Sequence, residues 1–85
     1  MKTSDVYLAS ACLALGYKLE TVNRTDPRHM QFEFSAQIQT GALGELSKLE
    51  LDEVEVKWAN RSLLVNAFDF AEAIKRMKSV IHSGQ

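Results

Sequence analysis

Between Val6 and Leu15 the chain carries a single polar residue, Ser10. A helix that is apolar nearly all round cannot keep one wet side, so it is expected to be covered on both sides, by the rest of the domain or by a second copy. Ser4 reads as its N-cap, with Asp5 near the positive end of the helix dipole. Gly16 ends it where a left-handed residue is least costly. Leu8, Ala11, Cys12 and Leu15 make one face, and Val6, Ala9 and Leu13 much of another. The small residues Ala9, Ala11 and Ala14 let a neighbouring element approach closely.

Tyr17 to Arg24 reads as strand. Tyr17 and Leu19 share a face while Val22 falls out of register, and a bulge near Glu20-Thr21 would return Val22 to the apolar side. Thr25-Asp26-Pro27-Arg28 reads as a turn, because proline fixes its own φ and keeps the preceding residue extended. Met30, Phe32, Phe34 and Ala36 then alternate with Gln31, Glu33 and Ser35, the cleanest strand pattern in the chain. The two strands make an antiparallel hairpin. Gln37 to Gly44, with Gly41 and Gly44, reads as loop.

Ser47-Lys48-Leu49-Glu50 fits a capping box, and Leu51, Val54 and Trp58 follow at helical spacing. Val54, Val56 and Trp58 also alternate, but Glu, Leu and Lys dominate the stretch, and helix is the preferred reading. Asn60-Arg61 turns the chain into a short expected strand, Ser62 to Val65. Asn66 can cap a last helix, with Asp69 as its box partner and an apolar stripe of Ala67, Phe70, Ala71, Ile74, Met77 and Ile81. Glu72 and Arg76 form an expected i,i+4 pair. The expected order is α-β-β-α-β-α: an α+β domain with an antiparallel sheet of about three strands covered by helices.

Eighty-five residues make a single domain, 1–85, with no room for a second core. No apolar run approaches the ~20 residues that cross a bilayer. The first apolar run follows Ser4 and Asp5 rather than a basic segment, so neither membrane nor secretion is expected. Cys12 is the only cysteine, which excludes an internal disulfide and suits a reducing, cytoplasmic compartment. The net charge of −1 is unevenly spread. Residues 40–56 carry five acidic residues against Lys48, and residues 57–85 carry five basic residues against Asp69 and Glu72. Such asymmetry can steer a partner.

Asp5-Val6-Tyr7-Leu8-Ala9 and Leu15-Gly16-Tyr17 with Leu19 resemble the opening of a family of small bacterial and bacteriophage domains of unknown function. The resemblance continues through Arg28, Phe32-Glu33-Phe34, Trp58 with Asn60, Val65, Phe70-Ala71 and Lys78-Ser79. Residues 37–53 are longer than that family's usual link, and Arg61 stands where its pattern places glycine. The resemblance implies a phage or mobile-element setting and a cytoplasmic protein. It implies no activity.

Catalytic machinery is thin. His29 and His82 lie in a turn and near the C-terminus, neither with a second metal-ligand residue at i,i+3 or i,i+4 that would make a helical site, and no basic residue adjoins Cys12 to lower its pKa. Glu50, Asp52, Glu53 and Glu55 lack the alternating ligands and glycine of a calcium loop. Gly41 and Gly44 make no phosphate loop. The expectation is a non-enzymatic binding or accessory protein with no cofactor, paired with itself as a homodimer or with another protein. The candidate interface residues are Tyr7, Ala11, Ala14 and Trp58. The alternative is nucleic-acid binding through Lys57, Arg61, Lys75, Arg76 and Lys78, with the last helix basic at its end.

Overall fold

A computed structural model of the chain describes residues 1–26, 28–38 and 50–82. The expectations for the Ala36 side chain, Pro27, the glycines of the 39–49 segment, the Ser47–Leu49 start of the capping box and the last three residues lie outside the described residues. The element order is β1 (Lys2–Thr3), α1 (Val6–Ala14), β2 (Tyr17–Asn23), β3 (Gln31–Ile38), α2 (Leu51–Ala59) and α3 (Ala67–His82). This is an α+β fold with one antiparallel three-stranded sheet in the order β1-β3-β2.

The third strand is not where the pattern placed it. Ser62 to Val65 belongs to no helix or strand, and the Ser62 and Leu63 amides donate to the Lys57 carbonyl at 2.8 and 3.1 Å. The sheet is completed by β1, with Lys2 opposite Glu33 and Thr3 opposite Phe32. Phe34 N donates to the Met1 carbonyl at 2.8 Å, and the Met1 amino group donates to Phe34 O at 3.1 Å. A strand of two residues is too short to show a period. The real order therefore begins with a strand and has none between α2 and α3.

Asp5, not Ser4, caps α1: its Oδ1 accepts from Tyr7 N at 2.9 Å and Leu8 N at 3.2 Å. Five consecutive residues, Leu8 to Cys12, are buried, which spans more than a full turn. The middle of the helix, Leu8 to Cys12, is thus covered by this one chain, which packs β1, β2, α2 and, most extensively, α3 against it. Ser10 is satisfied within it, its hydroxyl donating to Val6 O at 2.7 Å. Gly16 follows at φ 96°, as its place at the helix end requires.

The β2–β3 register shifts between Leu19 and Thr21, and this bulge returns Val22 to a position opposite Phe32 and against the core. Phe32 and Phe34 are buried, while Thr21 donates its hydroxyl to Glu33 Oε1 at 3.0 Å on the outer face. Beyond Asp26, the Arg28 amide donates to Asp26 Oδ1 and the His29 amide to Asp26 O, both at 3.0 Å, closing the expected turn.

The α2 stretch is helix, burying Leu51 and Val54 and packing Trp58 against the core. Glu50 is its N-cap, and the Glu53 carboxylate accepts from the Glu50 amide at 3.4 Å. Asn66 Oδ1 accepts from Asp69 N at 3.0 Å at the start of α3. Its inner face differs from the expected stripe: Ala73 and Met77 are buried, whereas Ala67 and Ala71 are exposed. Glu72 pairs with Lys75 at 3.5 Å rather than with Arg76, a surface pair worth little.

Arg24 ties the sheet to α3. Its Nη2 donates to Val80 O at 2.7 Å and its Nη1 to Ile81 O at 3.5 Å, so a cation sits on the negative end of the helix dipole. Arg24→Ala is expected to lose about 1.5–3 kcal/mol by urea denaturation, and Arg24→Lys to recover only part, because an ammonium lacks the fork. A loss below about 0.5 kcal/mol would mean that water serves these carbonyls equally well.

Candidate functional site

The surface feature that folding alone does not account for is the connection from the end of α2 to the start of α3. Helix α2 ends with Asn60 in the right-handed region and Arg61 at φ 61°. The Arg61 amide donates to Trp58 O at 3.1 Å and the Ser62 amide to Lys57 O at 2.8 Å. These two bonds form the αL helix stop in which glycine is the usual residue. Arg61 is the one non-glycine residue with positive φ among the described residues, at a strain of about 1 kcal/mol.

After the stop, Leu63 and Val65 pack against the core and Leu64 between them points out, 87% exposed. Phe68, in the first turn of α3, is 72% exposed. Two shallow grooves flank this connection, each of about 330 Å³. Among described residues, one is lined by Asp52, Glu53, Val56, Lys57, Asn60 and Ser62, the other by Trp58, Arg61 and Leu63. The first carries two carboxylates. In the second, Arg61 is the one charged residue among the described lining residues.

Of the residues singled out as an interface, Tyr7 is at the surface, 58% exposed, and Trp58 and Ala14 are half-buried. Ala11 is a correction: at 0% exposure it lies inside the chain's own core, where α1 is already covered. Of the basic residues, Lys57 and Arg61 meet at the α2 stop, while Lys75, Arg76 and Lys78 are exposed on α3. Among described residues no hydrogen bond or ion pair joins the two groups. Leu64 and Phe68 were not singled out by periodicity, though both carry a signal. Leu64 alternates against Leu63 and Val65, and Phe68 falls outside the α3 stripe.

Cys12 is fully buried, and burial pushes its thiol up to about 12. It is held as a neutral thiol at ordinary pH. His29 and His82 are exposed, and among the described residues no group of three or more His, Cys, Asp or Glu is arranged to hold a metal ion. No helix among the described residues is long and apolar enough to cross a membrane. No family model, curated protein or solved structure matches this chain.

Proposed function

We propose that this protein is a binding module, not an enzyme, and that it pairs with a second copy of itself through the surface around Leu64 and Phe68. The exposure of these two residues, 87% and 72%, carries the reading. Two large apolar side chains four residues apart lie out in solvent although the chain has a packed core to receive them. Apolar surface left out in this way favours association.

A second copy suits the surface electrostatically. The net charge of −1 sets up almost no repulsion between copies, and each copy carries an acidic start of α2 and a basic second half of α3. A two-fold contact needs only one self-complementary patch, and an exposed phenylalanine can stack on its own symmetry mate. Tyr7 is a further exposed aromatic able to extend such a contact. Association here needs no opening of the core, unlike one that uses Ala11.

Light scattering after size exclusion is expected to give twice the mass of the chain for the wild type. The double variant Leu64→Ser, Phe68→Ser is expected to give the mass of one chain and, at concentrations where both proteins are monomers, a stability unchanged within about 0.5 kcal/mol, since both side chains are exposed in the single chain. A wild-type monomer at the highest attainable concentration sinks the proposal. So does a dimer that the double variant leaves intact.

A further inference from the structure

We propose that the groove of Trp58, Arg61 and Leu63 binds one nucleotide of a single-stranded nucleic acid, with the base against the Trp58 indole and the phosphate on the Arg61 guanidinium. The starting observation is the backbone of Arg61. At φ 61°, all that the αL stop needs is a residue free of a Cβ clash, and glycine would make the same bonds to Trp58 O and Lys57 O without strain. What arginine adds over glycine is its side chain, and that side chain borders a groove. Strain of this kind is held where a side chain has work outside folding. The favourable effect of a cation on the α2 dipole is the competing account of Arg61.

The chemistry of the groove selects the occupant. Trp58 is half-buried, its ring packed against the core, so its position is set before any ligand arrives. An indole offers a flat face for stacking, and a guanidinium offers a planar fork that matches phosphate. Among its described lining residues the groove has no carboxylate, whereas its neighbour across the connection has Asp52 and Glu53. An anion is therefore directed to the Arg61 side. A volume of about 330 Å³ is at the small end of ligand pockets, room for one base rather than a duplex. One stacked base and one charge pair bind weakly alone, so the ligand is a strand rather than a free nucleotide.

The chain has one tryptophan, so its emission reports this groove directly. The experiment titrates the 85-residue chain with a thymidine oligonucleotide at low salt, following Trp58 fluorescence. Wild type is expected to show saturable quenching that weakens as salt rises. Arg61→Gly is expected to bind about tenfold more weakly. The same variant is expected to melt about 4–8 °C higher, since its strain is gone. Greater stability with weaker binding separates a ligand role from a damaged fold.

Four outcomes would overturn the proposal. One is an oligonucleotide that does not quench wild type; another is an Arg61→Gly variant that binds as tightly as wild type, which leaves Arg61 as a helix-dipole partner only. Quenching by thymidine monophosphate with the affinity of the strand makes the ligand a free nucleotide. Quenching by a DNA duplex or a polyglutamate chain as strong as by the single strand makes the groove a general anion or acidic-protein contact.

Discussion

Phe32→Ala is expected to lose about 3–5 kcal/mol of stability, the largest effect of any single substitution considered for this chain. Phe32 is 1% exposed and sits on the central strand, opposite Val22 on one side and Thr3 on the other. Its ring therefore belongs to the core that holds all three strands. Truncation removes the transfer energy of the ring and leaves a cavity that a sheet anchored on both sides cannot close. A domain of this length buries only roughly 60% of its unfolded surface, and stabilities of about 5 kcal/mol are common at that size. The variant should thus be close to its unfolding midpoint at room temperature. Its melting temperature is expected to fall by at least about 12 °C, following 4–8 °C for each kcal/mol. Phe68→Ala is the matched control: compared at a protein concentration low enough that both proteins are monomers, its expected change is under about 0.5 kcal/mol, because its ring lies in solvent in the single chain. Equal losses in the two variants under those conditions would show that Phe68 is buried within the single chain, and the association proposed through it would then need a different surface.

The second large effect concerns Cys12. Burial raises its thiol from 9.0 to about 12, with the Glu55 carboxylate adding in the same direction. At neutral pH the thiolate population is then roughly a thousandfold below that of a free cysteine, and a thiol reagent should label the native protein slowly and the urea-unfolded protein at once. The same shift makes stability depend on alkali. The folded state holds its proton more tightly than the unfolded state does, so this contribution is fully present below pH 9.0. It falls as pH rises from there to about 12, by at most about 1.4 kcal/mol per pH unit. Tyr17, raised chiefly by burial, acts in the same direction at its own titration. Denaturation midpoints measured from neutral pH upward should decline above pH 9. Fast labelling of the native protein at neutral pH would mean that α1 opens far more readily than its burial implies.

Much of this architecture was legible in local pattern. The uninterrupted apolar run of α1, the alternation of β3, the bulge that restores Val22 and the helical reading of α2 all follow from the period of side chains along the backbone. That period is a local property and survives in a sequence without its partners. Gly16 and Asn66 were legible for the same reason, since a helix end needs a particular residue type at a particular place. The α+β class follows from these elements together.

What only the tertiary structure decided is everything that depends on who lies next to whom. Two residues at the start of the chain become a strand because the free side of β3 accepts them, and no period of two residues could announce it. Ser62 to Val65 has strand spacing but no strand beside it, so it becomes a connection that leaves Leu64 in water. The covering of α1 was open between this chain and a second one, and the fold closes it by laying α3 across the helix, which puts Ala11 inside. Arg24 reaches the last turn of α3 across 56 residues of chain, a pairing that no spacing rule encodes. Arg61 stands where the resembled pattern places glycine, and only its φ of 61° makes it the residue whose presence most needs a reason. Hydrophobic period determines elements, because it is written along one segment. Edges, exposures and strained positions belong to the packing of several segments at once.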